Sequence, residues 1–314
     1  MKRVLSMLLC AVLLVLTCAG CGSPNPESGK LKVIATIFPE YEWVKNIVGD
    51  AKNVDVSLLL DKGVDLHSFQ PTAEDIVNIA ACDVFVYNGG ESDNWVGDVL
   101  QNAKNRDMTA IDLMDAMGSA AKEEEAVEGM QAEEEAEEEA EYDEHIWLSL
   151  KNAAALCQHI CDKLCEKDAA NKEVYTANTK DYIGKLNALD AQYTQTVKDA
   201  KNDTLIFADR FPFRYLTDDY HLKYYAAFKG CSAESEASFQ TLVFLADKLD
   251  TLKLNKLMII DGSDKKIADA VIDTAKTKDV KVLTLNSMQS AIGENDTYLT
   301  ITESNLKVLT EALN

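Results

Sequence analysis

The chain has 314 residues, with 31 Lys and Arg against 53 Asp and Glu, for a formal charge of −22 at pH 7. Without a basic stripe to neutralise phosphates, general nucleic-acid binding is excluded. The length exceeds one typical core and suits two lobes of about 100–150 residues each.

Lys2 and Arg3 precede an apolar run from Val4 to Leu16, followed by Ala19, Gly20 and Cys21. This is a secretory signal, too short and too close to the start to span a membrane in the mature protein. Cys21 behind small residues reads as a lipoprotein processing site, its thiol carrying the lipid. Residues 22–30, rich in Gly, Ser and Pro, read as a tether. The expectation is an exported protein, lipid-anchored to the cell membrane on its extracytoplasmic face. Beyond Cys21 there are five cysteines, an odd number that leaves at least one thiol unpaired.

From Leu31 to about residue 115 the chain alternates strand and helix. Leu31 to Phe38 is a β-branched run ending at Pro39, which opens a helix through Trp43, Ile47 and Val48. Val54 to Leu60 is the next strand. Thr72, with Asp75 three residues on, offers an N-cap for a helix reaching Cys82. Asp83 to Tyr87 and Met108 to Leu113 are strands, separated by a helix from Trp95 to Ala103. This order implies a parallel sheet covered by helices.

Residues 116–144 read as a mobile acidic loop, because 13 of the residues from Glu123 to Glu144 are Asp or Glu and little there can be buried. The chain re-enters ordered structure at His145-Ile146-Trp147. Such a field raises local cation concentration beside an imidazole. Residues 145–202 carry long helical periodicity with almost no breakers, in two runs from Leu148 to Lys167 and from Ala169 to about Lys201, read largely as linking helices. Cys157, Cys161 and Cys165, at i, i+4 and i+8, read as an apolar stripe rather than a zinc knuckle. Strand–helix alternation resumes over 203–314, beginning with a strand from Thr204 to Ala208. Two α/β lobes joined by a helix make a cleft lined by loops at the carboxyl ends of the strands.

Hydrolase and nucleotide-enzyme motifs are absent: no H-E-x-x-H, G-x-S-x-G, P-loop or G-x-G-x-x-G occurs. Of four histidines, His67 follows a strand and His145 closes the acidic run, whereas His159 and His221 carry no such context.

Four segments carry a resemblance: Lys30-Leu-Lys-Val-Ile-Ala-Thr-Ile-Phe-Pro39, His67-Ser-Phe-Gln-Pro-Thr72, Asp143-Glu-His-Ile-Trp-Leu148 and Tyr298 through Asn305-Leu306. Together they resemble the zinc- or manganese-binding substrate-binding lipoproteins of bacterial ABC importers. The resemblance implies two α/β lobes bridged by a long helix, with a metal bound between them. It also implies a monomer that delivers Zn²⁺, or alternatively Mn²⁺, to a membrane permease and catalyses nothing. His67 and His145 match the first two metal ligands. At the third, Arg210 stands where the family has His or Glu, and arginine has no lone pair to offer; neighbouring Asp209 is the expected replacement. Arg210 is then expected to turn toward Glu234 or Glu236. Asn286 matches the fourth ligand, an Asp in the family, and Glu236 matches a glutamate that supports the cleft. Two other classes stay open: a manganese-binding or adhesin relative, and a metal-dependent hydrolase in which a bound water is the nucleophile.

Overall fold

The computed structural model describes residues 29–60, 64–131, 141–232, 236–289 and 293–314. The expected signal peptide, Cys21 as the expected lipidation site, most of the expected tether and Glu234 lie outside the described residues.

Eight short strands form two four-stranded sheets of the same design. In the first, β1 (Leu31–Ala35), β2 (Val54–Leu58), β3 (Val84–Tyr87) and β4 (Thr109–Asp112) lie in the order β2-β1-β3-β4, every pair parallel. In the second, β5 (Thr204–Phe211), β6 (Lys223–Lys229), β7 (Lys256–Ile260) and β8 (Lys281–Leu285) lie in the order β6-β5-β7-β8, again all parallel. Parallel strands are covered on both faces and therefore read as apolar runs. Val84, Phe85 and Val86 are fully buried, as are Leu257, Met258 and Ile259 to within 1 %.

The helices that cover the first sheet are α1 (Phe38–Val48), α2 (Ala73–Ala81), α3 (Val96–Gln101) and α4 (Leu113–Met117). Pro39 sits in the first turn of α1, where its missing N–H costs nothing. The expected cap of α2 is present: Thr72 Oγ1 accepts from the Asp75 N–H while Asp75 Oδ2 accepts from the Thr72 N–H. The two expected linking runs form a helix pair, α5 (Leu150–Lys167) and α6 (Lys172–Asp199), broken at Asp168. At 28 residues α6 is about 42 Å long, enough to touch both halves. Asn178 Nδ2 donates to the Ile47 carbonyl in the first half, and Tyr193 Oη donates to the Thr302 carbonyl in the second. Cys157 and Cys161 are buried in α5, and both thiols remain unpaired.

In the second half follow α7 (Arg214–Tyr220), α8 (Phe239–Leu252), α9 (Lys266–Thr274) and α10 (Tyr298–Ala312). One apolar core runs through Val33 and Val86 of the first sheet, Trp147, and Phe207 and Leu285 of the second. Residues Leu31–Asn314 accordingly form one compact unit, its two sheets joined through Trp147 and the long helix pair.

One local expectation changes. The β5 strand does not end at Ala208 but continues to Phe211, with a register irregularity between Phe207 and Arg210. Helix α7 starts at Arg214, so Pro212 precedes it. The acidic run is also tied down at both ends, which narrows the loop expected over 116–144. The Glu124 N–H donates to the Glu141 carbonyl, and the Gln131 N–H donates to the Ala227 carbonyl. Glu125 pairs with Arg214, and Glu128 pairs with Lys248 at 3.2 Å. Basic residues of the second half thus hold its first turn, whereas residues 132–140 lie outside the described residues.

Candidate metal centre

His67 lies on a single 3₁₀ turn, Leu66–Ser68, in the loop that leaves β2. Leu66 anchors the turn in the core at 1 % exposure. Asp65 caps it, Oδ1 accepting from the His67 N–H at 3.0 Å. The His67 ring reaches Ser92 Oγ, 2.8 Å from Nδ1, in the loop after β3. When Nδ1–H donates to that hydroxyl, Nε2 carries the lone pair and faces the cleft.

His145 is held more rigidly. Asp143 Oδ1 accepts from both its backbone N–H, at 2.8 Å, and its ring Nδ1, at 2.9 Å. A carboxylate on Nδ1 fixes the tautomer that leaves Nε2 as donor to a cation. The ring is fully buried and packs on Trp147, with centroids 5.2 Å apart. Neither histidine is an exposed loop residue: the His67 side chain is 12 % exposed, and His145 is buried in the core.

Glu144, between them in sequence, accepts from the Ser92 N–H at 2.9 Å through Oε1, while its own carbonyl accepts from Asn88 Nδ2 at 3.0 Å. Gly90 makes this approach feasible: its φ is +80°, and a Cβ there would lie 2.4 Å from Glu144 Oε1. Burial raises the Glu144 carboxyl above its ordinary range. Asp93, one residue past Ser92, accepts from the Gly89 N–H at 2.9 Å. Burial, and then the nearby charges of Glu144 and Asp112, push it up to about 7. A carboxyl raised in the folded state contributes stability below the unfolded carboxylate range and loses it as pH climbs toward about 7. Asp93→Asn is therefore expected to flatten the fall in apo-protein stability between about pH 4 and 7. It is also expected to be more stable than the parent at about pH 8, by on the order of 1 kcal/mol. Denaturant titrations across that pH range measure this, and parallel pH profiles for parent and variant would refute it.

The two imidazoles meet head to head: His67 Nε2 and His145 Nε2 are 3.2 Å apart. Burial, and then the neighbouring His145, push His67 down to about 3, so it is a neutral imidazole at physiological pH. Two imidazole lone pairs at that separation repel unless a cation or a donor lies between them. Zinc–nitrogen bonds of about 2.0–2.1 Å at a tetrahedral angle put two ligand nitrogens about 3.3 Å apart. The observed spacing fits that requirement.

The remaining expected residues are placed as follows. Asp209 reaches the cleft, but its carboxylate accepts from two backbone amides, Arg210 N–H at 2.9 Å and Ile260 N–H at 3.2 Å. Arg210 takes a partner other than the expected Glu234 or Glu236. It crosses to the first half and pairs with Asp65 Oδ2 at 2.8 Å, so it braces the carboxylate that caps the His67 turn. Glu236 is exposed. Asn286 is turned into its own loop, its Oδ1 accepting from the Met288 N–H at 2.7 Å.

Two residues absent from the sequence-based set stand at the centre. Gln289 Nε2 lies 3.0 Å from each histidine Nε2. Among the described residues, one group of three metal-capable side chains comes together, His67, His145 and Cys231, with donor atoms all within 4.8 Å of one another. Cys231 follows Gly230 in the loop after β6, and its N–H donates to Glu124 Oε1 at 3.0 Å. A Cβ at Gly230 would lie 2.9 Å from His145 Cε1, so glycine is what lets this loop close on the imidazole. The sequence held one clue to Cys231, an unpaired thiol just past the carboxyl end of a strand.

The family model described as zinc-uptake complex component A, periplasmic, matches residues 33–312. The chain belongs to this family. It is 30 % identical over 319 residues to the zinc-binding lipoprotein AdcA of Streptococcus pneumoniae, covering 98 % of this chain and 60 % of that protein. It is 29 % identical over 305 residues to the high-affinity zinc uptake system protein ZnuA of Bacillus subtilis, covering 93 % and 90 % of the two chains. The Zn(II)-bound ZnuA-like domain of Streptococcus pneumoniae AdcA superposes with a TM-score of 0.71 at 28 % identity, over 91 % of this chain and 99 % of that domain. The chain thus spans about 60 % of the length of the first of these relatives, and it shares its fold with that zinc-bound domain.

Proposed function

We propose that this chain captures Zn²⁺ outside the cell and delivers it to the permease of an ABC importer, with His67 and His145 as its first two ligands. The observation that carries this reading is the pair of imidazole nitrogens converging at 3.2 Å. It is supported by membership of a zinc-uptake family and by likeness to proteins whose names state zinc binding or uptake. Imidazole donors suit zinc better than manganese or magnesium, which take more oxygen ligands. The protein acts as a monomeric binding module, not an enzyme, tethered through Cys21 to the extracytoplasmic face of the membrane. Among the described residues no helix is long and apolar enough to cross a membrane.

Uptake of labelled zinc tests delivery. Cells lacking this protein should regain zinc accumulation when the parent chain is restored, and not when the His67→Ala chain is restored. Equal accumulation with either chain would sink the assignment.

The acidic stretch has a separable role in this scheme. The six glutamates at 133–135 and 137–139 supply a field that draws cations toward the cleft. Their replacement by glutamine should leave the equilibrium zinc affinity unchanged while slowing capture severalfold at low salt. The difference should fade near 0.1 M salt, where screening acts beyond about 10 Å. Stopped-flow capture at two ionic strengths reads this directly, and an affinity loss persisting at high salt would mean the stretch supplies a ligand.

A further inference from the structure

We infer that the third and fourth donors to the cation are the Cys231 thiolate and the side-chain amide oxygen of Gln289, giving one sulfur, one oxygen and two nitrogens around the metal. This rests on the zinc-capture reading and specifies its site. The side chains expected to complete the site are otherwise engaged. Arg210 is paired with Asp65, Asp209 accepts from two backbone amides, and Asn286 accepts from the Met288 N–H.

Cys231 has the right placement. Its sulfur is within 4.8 Å of a ring nitrogen of each histidine, a distance that shortens to ligand spacing with a small movement of one loop. Two features bring that loop in: Gly230, which allows it to lie against His145, and Glu124, which holds the Cys231 N–H. On coordination the Sγ–H bond breaks, its proton leaves to solvent, and the sulfur lone pair binds the cation.

Gln289 has a complementary peculiarity. Its Nε2 donates toward both imidazole lone pairs, which relieves their repulsion in the metal-free protein. Its Oε1 is buried and has no hydrogen-bond partner, an arrangement that costs free energy unless the acceptor has another use. Turning the amide over exchanges the two atoms. The oxygen then faces the cation, while the NH₂ leaves the two lone pairs that the metal now occupies. One side chain serves both states.

The thiolate also bears on selectivity. A soft sulfur donor favours zinc over the hard cations manganese and magnesium, and a set with no carboxylate directly on the metal removes the ligand type those cations prefer.

Zinc-edge X-ray absorption of the zinc-loaded full-length protein tests the assignment without any substitution. One sulfur at about 2.3 Å with light atoms at about 2.0–2.1 Å is expected. Cys231→Ser should abolish the sulfur shell and weaken zinc binding by about tenfold or more. Gln289→Ala should keep the sulfur shell and weaken binding by a smaller, severalfold factor. A zinc-loaded parent with only light-atom neighbours overturns the thiolate assignment while leaving zinc capture standing. Parent-like affinity in Gln289→Ala removes the amide from the set. Failure of the parent to bind zinc at all would instead overturn the reading on which the assignment rests.

Discussion

His67→Ala is expected to lower zinc affinity by at least about 100-fold, roughly 2.7 kcal/mol, while leaving the apo fold close to that of the parent. The ring is held on a short surface turn whose anchor is Leu66, and its own side chain is 12 % exposed. Removing it deletes one of two converging imidazoles without opening the main core. The loss should exceed that of a single hydrogen bond, because a ligand nitrogen is replaced by a methyl that cannot bind a cation. Competition against a chelating dye measures it, alongside thermal unfolding of the metal-free proteins. Parent-like affinity in the variant would remove His67 from the site.

The second large effect concerns stability. Trp147→Ala should destabilise the metal-free protein by about 3–5 kcal/mol, the range for deleting a buried aromatic. Trp147 is 1 % exposed and joins the two sheets. Its Nε1 donates to the Ser287 carbonyl at 2.9 Å, its carbonyl accepts from Tyr298 Oη at 2.6 Å, and its ring backs His145. The substitution therefore loses burial, leaves the Ser287 carbonyl without this donor, and removes the wall behind an imidazole. Denaturant midpoints of the two apo proteins should separate at similar slopes, and saturating zinc should raise both midpoints by binding only the folded form without narrowing the gap. A shift below about 1 kcal/mol would show that the sheets are held together elsewhere.

Much of this architecture is legible residue by residue. The apolar runs at Val84–Tyr87 and Lys256–Ile260 announce buried parallel strands, and Thr72 with Asp75 announces the start of a helix. Those signals are local, carried by periodicity and by hydrogen bonds within four residues. His67 and His145 could be singled out because each follows a recognisable boundary. The rest of the centre is assembled from partners far apart in sequence. Arg210 was expected to find a carboxylate nearby, yet it pairs with Asp65, 145 residues away. No pattern within the 203–314 segment encodes that, because the partner is brought across by the packing of the two halves. Gln289 meets the imidazoles from the loop after β8, where the Asn305 side chain holds the Asn286 backbone and the Asn286 side chain holds the Met288 N–H. Cys231 arrives by the same route, through a glycine whose role is visible only against His145. The ends of the acidic run were misjudged for a related reason: composition reports charge, whereas Arg214 and Lys248 supply the counter-charges in three dimensions.

Competitive titration of the metal-stripped protein with zinc, in the presence of excess manganese, addresses the central claim most directly. One zinc per chain, bound despite the manganese and lost when His67 and His145 are both replaced, is the predicted result. No saturable zinc binding by the parent, or displacement of zinc by manganese, would contradict it.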